Sequence, residues 1–159
     1  MPQVHLLETR SLAKSLVFKK LYPIDDQVLL LVNAHLIIES LLYKYIIESV
    51  CFPSALENAR LTFHQIKCLA NSLRKRHEEE RWFWNTLKEL NSIRNSLAHN
   101  INVDDLSGRI RKIIETSQEK ITIHWPDANQ YEREKKALNY FLIVLCGVAF
   151  NLTNESYKI

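Results

Sequence analysis

The feature that most constrains the fold is a long run, Val28 to Ile47, that is apolar on nearly every side of a helix. A helix of this kind lies either at the centre of a bundle or in a membrane. Charged groups in hydrocarbon cost about 3 kcal/mol each, and polar residues interrupt the run repeatedly: Asn33, His35, Glu39, Ser40 and Lys44. The run therefore predicts a core helix, capped by Asp25 and Asp26 and ending near Val50.

The remainder of the chain is poor in residues that form turns. Two glycines and four prolines among 159 residues leave little material for hairpins or flexible linkers, and the length suits one compact domain. We therefore expect a single all-α domain over residues 1–159, folded as a bundle of about five to six helices.

Apolar periodicity gives the other helices of this bundle. They are predicted at Glu8 to Lys20, Leu61 to Leu73, Arg81 to Asn100, Leu106 to Glu119 and Asn129 to Leu152. Ser54 or the Thr62 region could cap the second of these, and Asp104 the fourth. Lys120 to His124 alternates like a short strand, although an isolated strand is weak in a helical protein. Trp125 to Asp127 should form a turn.

The last helix begins charged and becomes apolar from Phe141 to Phe150. This apolar part is too short to cross a bilayer, so we expect it to pack on the core helix or on a second subunit. No membrane partner is expected.

Cys51, Cys68 and Cys146 are an odd number, lie in apolar surroundings and lack CxxC spacing. This pattern is typical of buried thiols in a reducing compartment and not of a structural zinc site. No signal peptide is recognisable. The expected location is the cytoplasm, with no cofactor and no metal.

The chain is only mildly basic, with a net charge of +3. The run Arg74 to His77 is followed at once by Glu78 to Glu80, which favours a solvated corner, with phosphate contact as the alternative. Trp82, Phe83 and Trp84 could stack on bases, but adjacent aromatics opening a helix more often pack in a core or an interface.

The strongest candidate for a functional site in this sequence is the stretch Arg94-Asn95-Ser96-Leu97-Ala98-His99. At the helical step of about 100° per residue, Arg94 falls within about 20° of the centre of an apolar face, which is formed by Phe83, Leu87, Leu90 and Leu97. An arginine there should be paired or should line a cleft or subunit interface. Asn95 and His99 are one turn apart and should stack.

Two readings of this stretch remain open. In one, Arg94 pairs with a buried carboxylate while Asn95 and His99 cap the helix C-terminus. In the other, the three groups form a site. On the core helix, Glu39 is the best candidate partner for Arg94, and His35 one turn before it is either a core histidine bonded to backbone or a supporting site residue.

The stretch resembles the R-x4-6-H signature of the HEPN superfamily, including the asparagine after the arginine. The resemblance implies an all-helical up-down bundle with the motif on a late core helix, and in many members metal-independent endoribonuclease activity in toxin–antitoxin or antiviral defence systems. It also implies a two-fold dimer that places two clusters across one cleft. Ile101 stands where one toxin branch has a tyrosine, so regulation through modification of that tyrosine is not expected.

In that chemistry His99 would act as general base on a ribose 2′-OH or general acid toward the 5′-oxygen. Arg94 would stabilise charge on the phosphate, and Asn95 would orient His99 or the phosphate. The expected partners are RNA, a second copy of the chain, and a cognate antitoxin or nucleotidyltransferase. The alternatives are a non-catalytic HEPN module that binds a nucleotide, nucleic acid or protein, and an all-α interaction domain with a coincidental motif.

Overall fold

The computed structural model describes residues 21, 24, 26–74, 77–99, 105–118, 120–121 and 129–154. These residues form five α-helices and a 3-10 turn and contain no strand, which confirms the all-α prediction for the described chain. The helices are α1 (Gln27–Ser49), α2 (Phe63–Ser72), α3 (His77–His99), α4 (Leu106–Ser117) and α5 (Gln130–Asn154), and the 3-10 turn is Pro53–Leu56. The helix predicted at Glu8 to Lys20 and the turn at Trp125 to Asp127 lie outside the described residues.

Side-chain caps set three of the helix starts. Asp26 accepts a hydrogen bond from Leu29 N at 2.8 Å, as expected for the core helix, and Thr62 forms a capping box with Gln65. The cap of α4 was predicted at Asp104, but it is Asp105, which has a left-handed backbone (φ 62°) and accepts from the amide of Gly108. Aspartate tolerates this conformation better than most residues.

The core helix α1 packs chiefly on α5. The last helix was expected on the core helix or on a second subunit, and the first of these is observed. The thiol of Cys146 on α5 donates to Ala34 O on α1 at 3.8 Å. By length and composition, α1 and Arg133–Thr153 could each cross a membrane, a test that core helices of soluble proteins also pass. Here the inward faces of the two helices belong to one cluster of buried side chains, which includes Leu30, Ile38, Leu42, Phe141, Leu142 and Leu145.

The start of the predicted basic corner is buried, which corrects the expectation of a solvated run. Arg74 Nε donates to both carboxylate oxygens of Glu80 at 3.1 Å, and Nη1 donates to Leu152 O at 2.8 Å. The side chains of Arg74 and Glu80 are only 9% and 10% exposed. This pair ties the start of α3 to the end of α5; Lys75 and Arg76 lie outside the described residues.

Two other local predictions need correction. Cys51 and Cys68 are exposed and only Cys146 is buried, because Cys51 follows the end of α1 and Cys68 lies on the outer face of α2. Lys120 and Ile121 form a turn and a bend after α4, so the described part of the segment predicted as a strand is not one. Phe83 and Trp84 are buried in the core, as expected for the aromatic run.

Candidate functional site

The C-terminal half of α3 has one buried and one polar face. Its buried face continues the core through Leu87, Leu90 and Ile93. On the opposite side, polar residues recur every three to four positions and line a shallow depression that is open to solvent. The lining residues are Lys88, Asn91, Ser92, Asn95, Ser96 and His99. None of these six residues is acidic.

Arg94 does not interrupt the core, contrary to the expectation from the helical wheel. Near the end of α3 the buried side is formed by Ile93 with half-buried Leu97, so Arg94 lies one step outside it and is exposed. Its Nη1 donates to Asn95 Oδ1 at 3.2 Å. That bond turns the amide oxygen of Asn95 toward Arg94 and leaves the amide N–H groups of Asn95 available to an acceptor.

Glu39 does not pair with Arg94 as predicted. Its carboxylate lies 3.9 Å from Nδ1 of His35, one turn away on the same helix, a contact that becomes an ion pair only when the imidazole is protonated. The side chain of Glu39 is 31% exposed and therefore partly hydrated. Water can compensate its charge at that position without a guanidinium partner.

His35 is a core histidine, but its partner is a side chain and not the backbone. The ring is 3% exposed, stacks on Phe63 with centroids 4.1 Å apart, and donates from Nε2 to Asn91 Oδ1 at 3.2 Å. Burial lowers the pKa of His35, the charge of Arg94 lowers it further, and the hydrogen bond to Asn91 opposes these effects. His35 is therefore neutral near pH 7 and supports Asn91 from behind the depression.

His99 is the last residue of α3 and is exposed. It lies one turn after Asn95, on the same side of the helix. Both residues line the depression, as expected for neighbours on one helix face. It is the only histidine among the residues that line this depression. Its exposed ring nitrogens are accessible to a bound molecule as hydrogen-bonding groups.

Arg109 of α4 joins this face and was missed by the sequence reasoning. Its Nη1 donates to Ser96 Oγ at 2.8 Å and its Nη2 donates to Ser92 Oγ at 2.9 Å. The serines, with Lys88 and Asn91, could have been found from the sequence, because they continue the three-to-four spacing back from His99. The position of Arg109 could not have been found from the sequence, since it depends on how α4 packs against α3.

The resulting face suits an anionic ligand. Lys88, Arg94 and Arg109 supply positive charge, while amides and hydroxyls between them supply hydrogen bonds. Within the described ranges, no three His, Cys, Asp or Glu side chains converge in a way that could hold a metal ion.

Comparison of the chain with protein-family models, curated proteins and solved structures found no match.

Proposed function

We propose that this chain is a metal-independent endoribonuclease with a HEPN-like up-down bundle, acting in the cytoplasm as part of a prokaryotic toxin–antitoxin or antiviral defence system. The observation that carries the proposal is the exposed face of α3. There His99 shares a depression with Asn95, Arg94 is hydrogen-bonded to Asn95, and the lining contains no carboxylate. A polyanion can approach such a face without repulsion.

The three motif residues have distinct roles in this reaction. His99 takes the proton of a ribose 2′-OH, or gives one to the leaving 5′-oxygen. The 2′-oxygen forms a bond to the adjacent phosphorus and the bond from phosphorus to the 5′-oxygen breaks, leaving a cyclic phosphate and a 5′-hydroxyl. Arg94 stabilises the charge that develops on the phosphoryl oxygens, and the amide N–H groups of Asn95 donate to the same phosphate.

Two proton transfers need two groups, and one protomer supplies one exposed imidazole to the depression. His35 cannot be the second, because it is buried and bonded to Asn91. The proposal therefore includes a homodimer in which two copies of the face flank one cleft. Leu29 and Leu36, on the helix that carries His35, are 52% and 51% exposed, and exposed leucines on one helix face are compatible with a subunit contact.

The test is RNA cleavage by purified protein in a chelating buffer. His99→Ala and Arg94→Ala should each lower the rate about 10²–10⁴-fold, with unchanged circular dichroism and unchanged mass by size-exclusion chromatography. His64→Ala removes another exposed histidine, on α2, and is the matched control. Cleavage at the wild-type rate by both site variants would contradict the proposal.

The second candidate is a non-catalytic HEPN module that binds a nucleotide, a nucleic acid or a protein such as an antitoxin or a nucleotidyltransferase. The single imidazole in the lining of the depression favours it, because anion binding needs the cations of the face and no proton transfer. In that case the protein binds RNA or its partner without cutting RNA. Arg94→Ala weakens binding, whereas His99→Ala leaves it nearly unchanged.

A further inference from the structure

Arg109 is held in a fixed orientation by hydroxyl groups. Its guanidinium donates to Ser92 Oγ and Ser96 Oγ, which are one turn apart on α3. Ser96 Oγ itself donates to Ser92 O at 3.0 Å. Because its only proton is used there, the lone pairs of Ser96 are left to accept from Arg109. The two serines therefore set the direction of the guanidinium.

The charge of Arg109 is not neutralised by the groups that hold it. Other arginines form ion pairs: Arg74 with Glu80, Arg81 with Glu78, and Arg111 with Glu134. The described hydrogen bonds of Arg109 go to neutral hydroxyls. They use two of the five N–H groups of a guanidinium. An oriented fork with its charge retained is well suited to a phosphate.

Arg109 and Arg94 lie on opposite flanks of the same face. Around α3, Asn95 and His99 fall between Arg94 and the pair Ser92 and Ser96, as the helical step requires. A strand laid across the face would meet Arg94 first, then His99, then Arg109. The face therefore offers two cationic positions, one on each side of the proposed general acid–base group.

We propose that Arg109 is a second phosphate-binding residue of this site, and that Ser92 and Ser96 are its positioning residues. This inference rests on the proposed function, in that the ligand is a single-stranded RNA. The phosphate at Arg94 belongs to the bond that is cut, and the phosphate at Arg109 is a neighbour on the same strand. A merely structural Arg109 would instead join α4 to α3 without touching the ligand.

Binding of a 2′-O-methyl RNA oligonucleotide, which cannot be cleaved, separates these roles. Fluorescence anisotropy across a salt series would compare Arg109→Gln with Arg111→Gln, which removes the same charge two residues away on α4. Arg109→Gln should weaken binding about tenfold or more, and should lower the slope of log K against log salt by about 0.7, the value for one phosphate contact on a single strand. Arg111→Gln should change neither.

The serine pair gives a second measurement. The double variant Ser92→Ala, Ser96→Ala keeps every charge but frees the guanidinium, so it should weaken binding by less than Arg109→Gln and keep the wild-type salt slope. Thermal unfolding of each variant reports any loss of the contact between α3 and α4. A structural role would lower the melting temperature of Arg109→Gln while leaving its salt slope at the wild-type value.

The outcomes distinguish this inference from the function on which it rests. If wild type cleaves RNA and Arg109→Gln matches Arg111→Gln in affinity and slope, the inference is overturned and the nuclease proposal stands. If wild type binds RNA and never cuts it, while Arg109→Gln loses affinity and slope, the phosphate contact is supported and the nuclease proposal fails. Absence of any RNA binding by wild type overturns both.

Discussion

Nε2 of the buried His35 lies 3.2 Å from Oδ1 of Asn91 and donates a hydrogen bond to it. The bond joins the core helix α1 to Asn91, one of the residues that line the depression on α3. Because the ring also stacks on Phe63 of α2, three helices fix its position. The orientation of the Asn91 amide, a half-buried group, is therefore set by the core.

This relationship predicts that stability falls in mild acid. Burial lowers the pKa of His35 in the folded protein, with a further contribution from the charge of Arg94, whereas in the unfolded chain it is about 6.5. Below pH 6.5 the unfolded state therefore binds a proton that the folded state does not. The free energy of unfolding should decrease as the pH falls, by at most about 1.4 kcal/mol per pH unit from this group.

Urea unfolding at pH 7.5, 6.5 and 5.5 measures this dependence. His35→Gln keeps a donor for Asn91 but does not titrate, so its stability should vary less with pH over this range. His64→Gln removes an exposed histidine on α2 and should retain the wild-type dependence. The carboxylate of Glu39, 3.9 Å from Nδ1, would reduce the effect by favouring the proton. Equal pH dependence in wild type and His35→Gln would contradict the assignment.

Local rules predict the fold better than they predict the site. The apolar run of α1 has to be buried in the core, and Asp26 caps the start of the helix, as is common for aspartate. The exposure of Arg94 depends on which side of α3 is buried near the C-terminus of the helix. Ile93 and Leu97 lie on the buried side there. A helical wheel based on Phe83 therefore places Arg94 on the buried side, although it lies just outside it.

Contacts between helices explain the remaining errors. Arg74 pairs with Glu80 across the junction of α2 and α3, whereas Glu39 remains partly exposed beside His35 on its own helix. Arg109 reaches Ser92 and Ser96 only when α4 lies against α3. The pair Arg74 and Glu80, and the contacts of Arg109 with Ser92 and Ser96, have no sequence spacing that marks them. The resemblance to the HEPN superfamily, and the activity and dimer it implies, stay predictions.

The pair Arg74 and Glu80 should contribute strongly to stability. Both side chains are about nine-tenths buried, and removal of Glu80 takes the carboxylate partner away from a buried guanidinium. Glu80→Gln should therefore lower the free energy of unfolding by about 3 kcal/mol or more. Glu78→Gln breaks the exposed pair with Arg81 and should cost less than about 1 kcal/mol. Urea unfolding of both variants at pH 7 makes the comparison, and equal losses would contradict burial of the Arg74–Glu80 pair.

The three cysteines should differ in reactivity. Cys51 and Cys68 are exposed, whereas Cys146 is buried, and burial raises the pKa of its thiol to about 12. Since the thiolate is the reactive form, an aromatic disulfide reagent at pH 8 should modify two thiols in the native protein and the third only in denaturant. Cys146→Ser should leave the native count at two. Rapid modification of Cys146 in the folded protein would contradict the packing of α5 on α1.

The two glycines should respond differently to substitution by alanine. At Gly147, within α5, an added Cβ meets no atom within 4 Å, so Gly147→Ala should stabilise the protein by about 0.5–1 kcal/mol through helix propensity. At Gly108 the added Cβ would overlap the carboxylate of Asp105. That carboxylate caps α4 by accepting from the Gly108 amide at 3.1 Å.

Gly108→Ala should therefore displace the cap and lose about 1 kcal/mol, which offsets or exceeds the gain in propensity. Urea unfolding should place it about 1 kcal/mol or more below Gly147→Ala. In an Asp105→Ala background the cap is already absent, so the same substitution at Gly108 should become stabilising. A gain from Gly108→Ala equal to that from Gly147→Ala in the wild-type background would contradict the cap. Because Arg109 follows Gly108 directly, loss of the cap should also weaken binding of the 2′-O-methyl RNA, provided that Arg109 contacts phosphate.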